Sequence, residues 1–109
     1  KRKSMPSPSG LDHKNINEIQ ALLTEHLKEK DNYSIYFFGS RATSQYRQYS
    51  DLDLWINSTP SLSTTELGQL RELFEESNLP IKVDLVTDDS CTDDFKKGIH
   101  NKKVFWFGK

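Results

Sequence analysis

Residues 33–57 read YSIYFFGSRATSQYRQYSDLDLWIN. Two strand patterns flank a polar stretch here, and their geometry decides the rest of the fold. Tyr33 to Phe38 is β-branched and aromatic and stops at Gly39, which predicts a strand ending at a turn. Asp51 to Asn57 alternates strictly. Successive side chains of a strand point to opposite faces, so Asp51, Asp53 and Trp55 share one face and Leu52, Leu54 and Ile56 the other. Residues 40–50 between them are polar, with room for a short helical turn.

Working outward, residues 12–29 carry Ile16, Ile19, Leu22, Leu23 and Leu27 at helical spacing, one apolar stripe with Asp12 or Asn15 as the starting cap. Before it, residues 1–11 are basic and then rich in Ser, Pro and Gly, a composition that reads as a disordered tail outside the folded unit of 12–109. After the second strand, Ser63-Thr-Thr-Glu66 is a capping box followed by Leu67, Leu70, Leu73 and Phe74, a helix ended by Asn78 and Pro80. Ile81 to Val86 predicts a third strand, with Lys82, Asp84 and Val86 on one face and Val83 and Leu85 on the other. Ser90 to about Lys103 predicts a third helix, acidic at its start and basic at its end, as the helix dipole favours. Val104-Phe-Trp-Phe107 closes the chain as an aromatic run. Three strands and about three helices make a small two-layer α+β domain.

The whole chain is 109 residues, 34% hydrophobic and 28% charged, with 15 basic and 16 acidic side chains. This is one domain of ordinary globular composition. A net charge of −1 carries no basic excess, so direct nucleic-acid binding is not expected. No apolar run approaches a membrane span or a signal-peptide core. The single cysteine, Cys91, has no internal disulfide partner, and a cytoplasmic setting is the default expectation.

The second strand carries the chemical anomaly. Asp51 and Asp53 point the same way, and like charges that close repel one another. Asp84 adds a third carboxylate if its strand pairs beside the second. A divalent cation relieves the repulsion directly, and Mg²⁺ favours carboxylates, waters and phosphate oxygens. Clustered carboxylates can hold two metal ions in enzymes that transfer phosphoryl or nucleotidyl groups. At the end of the first strand, Gly39 lets backbone approach a ligand closely. Ser40 and the amides that follow can donate to phosphate oxygens, with Arg41 supplying a cation.

Phe38-Gly-Ser-Arg-Ala42 followed by Tyr49-Ser-Asp-Leu-Asp-Leu54 resembles the minimal nucleotidyltransferases of the DNA polymerase β superfamily. Their signature is Gly-Ser, ten intervening residues and Asp-X-Asp, which Gly39-Ser40 and Asp51-Leu52-Asp53 match in spacing. Ile81 to Val86 resembles the family's third-carboxylate strand, which gives Asp84 that role. Many members carry glycine where Ser44 stands. The resemblance implies a polymerase β-like fold, a small mixed sheet with about three to four helices. It implies ATP as substrate and Mg²⁺, two ions, held by Asp51, Asp53 and Asp84, with Gly39, Ser40 and Arg41 on the nucleotide. It also implies a HEPN-domain ribonuclease toxin as partner, receiving AMP on a tyrosine while this chain acts as antitoxin. Two alternatives stand beside this: neutralisation by occlusion with little turnover, and nucleotidyl transfer to a small molecule.

Other residues draw plainer readings. Asp88, Asp89, Asp93 and Asp94 fit a turn and a helix start. His13, His26 and His100 lack metal-ligand spacing and read as surface or packing residues, and Cys91 reads as a small buried apolar side chain. Tyr46, Arg47 and Tyr49 are loop residues or line a groove. Phe105, Trp106 and Phe107 divide between core and a partner-facing patch.

Overall fold

A computed structural model describes residues 7–43, 46–47, 50–90, 92–100 and 102–109, with His100 described by its backbone alone. Helix α1 spans His13–Leu27, and strand β1 Asn32–Phe38. A 3-10 turn over Gly39–Ala42 leads toward β2, Leu52–Thr59. Helix α2 is Thr64–Glu75, β3 is Val83–Val86, α3 is Asp93–His100 and β4 is Val104–Gly108. A second 3-10 turn covers Asp88–Ser90. The strands form one mixed sheet in the order β3-β2-β1-β4. β1 runs antiparallel to both neighbours, and β3 runs parallel to β2.

The alternation in β2 assigns the layers. Leu52, Leu54 and Ile56 are buried with Ile35, Phe37, Val83 and Leu85 beneath the stripes of α1 and α2. From α1 these are Ile19, Leu23 and Leu27; from α2, Leu67, Leu70 and Phe74. Leu73 departs from its expected place in the stripe and is exposed, because 67, 70 and 74 already fill the inward face. The opposite face of the sheet holds a smaller cluster of Phe38, Trp55 and Ile99, which seats α3.

The caps follow their sequence signals. Asp12, rather than Asn15, caps α1 by accepting from the Asn15 amide at 2.9 Å. Ser63 and Glu66 close the capping box of α2. The Glu66 carboxylate also accepts from the Lys30 ammonium at 3.0 Å, which ties the entry of β1 to α2.

Three expectations need correction. The chain has a fourth strand, β4, where only an aromatic terminus was expected. A bulge between Ile35 and Tyr36 shifts its register, so Phe107 faces Ile35 and Phe105 faces Tyr36. The extra residue, Trp106, is buried, Phe107 packs beside it against the same core, and Phe105 stays exposed on the other face. A bulge places two residues opposite one, which hides the strand's alternation. The third helix is also shorter than expected. Thr92 Oγ1 accepts from the Phe95 amide at the helix start, and the Lys102 and Lys103 amides turn back onto the Ile99 carbonyl. Lys102 and Lys103 therefore lie beyond α3, where the chain turns into β4. Finally, the stretch set aside as tail is drawn into the fold at Ser9, whose amide donates to the Arg41 carbonyl at 2.9 Å, and Pro8 is buried. Residues 1–6 of that tail, and Ser44, Tyr49, Cys91 and the side chain of His100, lie outside the described residues.

Candidate functional site

The parallel pairing of β2 with β3 places Asp53 directly beside Asp84. Antiparallel pairing with β1 places Phe38, the residue before Gly39, opposite Asp53. Three separate segments thus converge on one spot at the sheet: the end of β1, the start of β2 and β3. Asp53 and Asp84 are half-buried there, and Asp51 is exposed one residue ahead of β2.

Gly39 is required by two independent facts. Its φ of +78° is a left-handed conformation that side chains disfavour. A Cβ on Gly39 would also collide with the Asp53 carboxylate oxygen. The turn therefore packs backbone against carboxylate with no room between them, and Ser40 follows on the same turn.

Partial burial, together with the charges of Asp84 and Asp51, pushes the Asp53 carboxyl up to about 6, and a hydrogen bond with Asp84 adds to the rise. Burial is the largest cause. The Lys82 ammonium approaches the half-buried Asp84 at 3.6 Å from a largely exposed side chain, so it offsets little of that charge. The carboxylates are not gathered into a ready ligand set: among the described residues, no group of three or more His, Cys, Asp or Glu stands at metal-holding distances. The donor chemistry nevertheless suits Mg²⁺. The set is all oxygen and electrostatically repulsive, and a hard cation relieves such repulsion.

A cleft of about 890 Å³ opens along β3. Gly39, Asp53 and Asp84 line it together with Phe38, Phe95 and Arg71. Arg71 reaches from α2 to donate to the Leu85 carbonyl at 2.9 Å, covering part of the outer edge of β3.

Arg41 does not stand where the motif suggested. It is fully buried. Its Nε donates to the Ser50 carbonyl at 3.0 Å and its Nη1 to the Ser9 carbonyl at 2.8 Å. Its Nη2 points to the Arg47 carbonyl at 3.4 Å, and its guanidinium lies over the Tyr46 ring, 5.3 Å from the centroid. A buried guanidinium spent on backbone carbonyls is a structural clamp and is not presented to a phosphate. It fixes the loop that delivers Ser50, and hence Asp51, to the start of β2. Tyr46 and Arg47 belong to this clamp.

The plainer residues fall into place. Asp88, Asp89, Asp93 and Asp94 are exposed in the 3-10 turn and the first turn of α3. His13 is exposed and His26 half-buried on α1. Arg71 carries no motif and draws no reading from the sequence, while Lys82 reads only as sharing a strand face with Asp84 and Lys102 only as a charge at a helix end. Only the three-dimensional pairing of β3 and the turn after α3 bring them to the site.

A mixed sheet with Gly-Ser at the end of β1 and carboxylates on β2, beside it, and on β3, the next strand out, defines a nucleotide-transferring class of domain. The chain belongs to the nucleotidyltransferase domain family, whose model matches residues 20–106. It is 39% identical over 74 residues to the Haemophilus influenzae protein called "Probable protein adenylyltransferase MntA". That match covers 68% of this chain and 63% of the relative. It is 34% identical over 97 residues to a Methanocaldococcus jannaschii protein that bears the name of a protein adenylyltransferase, covering 84% of this chain and 98% of the relative. The fold resembles a chain of a crystallised toxin–antitoxin complex with AMP-PNP (TM-score 0.64, 21% identity, 83% of this chain and 73% of that one). It also resembles a chain of the Shewanella oneidensis complex between a tri-AMPylated HEPN toxin and an MNT antitoxin (TM-score 0.64, 22% identity, 91% and 74%). At those identities the likeness establishes the polymerase β-like fold. Among the described residues, no helix is long and apolar enough to cross a membrane.

Proposed function

We propose that this chain is a Mg²⁺-dependent protein adenylyltransferase that moves AMP from ATP onto a hydroxyl of a partner protein, a tyrosine of a HEPN-type ribonuclease toxin, and thereby acts as its antitoxin. The observation that carries this reading is the register of Asp53 beside Asp84, with the Gly39 turn packed on the Asp53 carboxylate. The names borne by relatives at 34–39% identity support the same reaction. A nucleotide-bound neighbour of the same fold supports a nucleoside triphosphate as donor.

The chemistry divides among the residues. Asp51, Asp53 and Asp84 would hold the metal. Bound there, Mg²⁺ supplies charge neutralisation at the triphosphate and acidifies the attacking hydroxyl. The Ser40 hydroxyl and the amides of its turn orient the phosphate chain. The acceptor oxygen attacks the α-phosphorus, the bond from that phosphorus to the β-bridging oxygen breaks, and pyrophosphate leaves with the electron pair. Asp84, beside Asp53 on the cleft wall, would take the hydroxyl proton. Most of the acceleration comes from position and charge.

The acceptor comes from outside this small domain. Phe95 and Phe105 are each 45% exposed. Both lie on the sheet face that carries the carboxylates, where Phe95 packs against Phe38 and Phe105 against Tyr36. An exposed aromatic pair on the catalytic face suits docking of a protein.

The test is intact-mass spectrometry of a HEPN-type toxin after incubation with this chain, ATP and Mg²⁺. A gain of AMP mass that disappears with the Asp51→Asn, Asp53→Asn variant supports the proposal. Neutralisation of the toxin without any mass gain supports occlusion instead. AMP transfer to a small acceptor in the absence of the partner supports the small-molecule alternative.

A further inference from the structure

A second cleft, of about 440 Å³, is lined by Gly39, Ser40, Ala42, Thr43 and Lys102. Gly39 is the one residue it shares with the larger cleft of Asp53 and Asp84. The glycine turn therefore stands between a cleft that holds the carboxylates of Asp53 and Asp84 together with Arg71 and Lys82, and a cleft without a carboxylate. Lys102 is the only charged side chain among the described residues that line this second cleft.

The backbone of Lys102 is fixed on both sides. Its amide and that of Lys103 both donate to the Ile99 carbonyl at 2.8 Å. Ile99 is buried with Phe38 and Trp55. The Lys103 ammonium lies 4.4 Å from the centroid of the Tyr36 ring and 4.9 Å from that of Trp55. Val104 then enters β4 opposite Phe37. Lys103 is thus occupied by aromatic rings, while the exposed Lys102 is carried to the Ser40 turn. With Arg41 buried on backbone carbonyls, the motif itself supplies no cation to this spot.

We infer that Lys102 is a phosphate-contacting residue, its ammonium meeting the β- and γ-phosphates of a bound nucleoside triphosphate in the cleft beside Ser40. The inference rests on the nucleotidyl-transfer reading above and adds to it a cation on the Ser40 side of the glycine turn. Ser40 and the turn amides donate hydrogen bonds but bring no net charge, whereas the triphosphate tail is strongly anionic. Lys102 offers a charge-assisted contact there. When the bond between the α-phosphorus and the bridging oxygen breaks, the electron pair goes to pyrophosphate. The ammonium stabilises that charge by hydrogen bonding, and its own protons stay in place.

Discrimination between ATP and AMP tests this, because AMP has no phosphates that reach Lys102. The measurement is calorimetric binding of ATP and of AMP, with Mg²⁺, to the full chain and its Lys102→Gln and Lys102→Arg variants. The side chain is exposed and the anchoring hydrogen bonds are made by backbone, so both variants retain the fold, which their melting curves verify. Lys102→Gln is expected to weaken ATP binding about tenfold and AMP binding less than twofold. Lys102→Arg restores most of the loss, and added salt narrows the gap between wild type and Lys102→Gln. Equal ATP affinity in wild type and Lys102→Gln, or equal losses for ATP and AMP, overturns the assignment of Lys102 alone. A wild-type chain that binds no triphosphate overturns the nucleotidyl-transfer reading, and this one with it.

Discussion

Replacing Asp53 by Asn should stabilise the metal-free protein while abolishing transfer. The Asp53 carboxyl is pushed up to about 6 from an ordinary 3.8 by partial burial and by Asp84 and Asp51. Each pKa unit corresponds to about 1.4 kcal/mol, so holding this group ionised at neutral pH costs the fold at most about 3 kcal/mol. The group is half-exposed, and solvent screening lowers that to about 1 kcal/mol. The direction follows from proton counting. Between pH 4 and 6 the folded state holds the Asp53 proton more tightly than the unfolded chain, so this group's contribution to stability falls as pH rises through that window. Asn has no such proton. The variant should match wild type below pH 4 and exceed it by about 1 kcal/mol at pH 7.5, a rise in Tm of about 4–6 °C for a domain of this size. Urea denaturation in metal-free buffer at the two pH values measures this. A variant that is less stable at pH 7.5, or whose advantage is the same at both pH values, refutes the like-charge account of the site. Mg²⁺ should raise the Tm of wild type and leave that of Asp53→Asn nearly unchanged.

Gly39→Ala should lose transfer and about 2 kcal/mol of stability, because it strains the positive φ and drives a methyl group into the Asp53 carboxylate; a fully active, equally stable variant in a urea titration contradicts this. Arg41→Ala should cost about 3 kcal/mol by leaving the carbonyls of Ser9, Arg47 and Ser50 without their shared donor. Unfolding curves check it, and a loss of nucleotide binding with unchanged stability would return Arg41 to the phosphate. Leu23→Ala, in the centre of α1's buried stripe, should cost about 3 kcal/mol by thermal melting with nucleotide affinity retained wherever the variant is folded.

The parts of this protein legible in sequence are those governed by local periodicity. The alternation of residues 52–56 placed Leu52, Leu54 and Ile56 in the core and put Asp53 with Trp55 on the other face, as the buried clusters show. The capping box at Ser63 and the apolar stripe of α1 are equally local. The strand containing Asp84 was visible too, although its pairing with β2 had to be assumed until the register appeared. β4 was missed because its bulge turns both Trp106 and Phe107 to the core and leaves no period-two pattern to read. Arg41 was misplaced for a different reason. A cation after Gly-Ser looks like a phosphate ligand in one dimension, and only the return of Ser9 and the 46–50 loop reveals the three carbonyls that consume it. Lys102 read as a helix-end charge, since nothing local announces that the turn after Ile99 carries it to Ser40.

The most direct test of the central claim follows the label. ATP labelled at the α-phosphate and ATP labelled at the γ-phosphate are each incubated with this chain, Mg²⁺ and the HEPN-type partner. A nucleotidyltransferase built on Asp51, Asp53 and Asp84 leaves the α-label on the partner, releases the γ-label as pyrophosphate, and does neither after Asp53→Asn. Retention of the γ-label on the partner, or α-labelling that survives Asp53→Asn, contradicts the account.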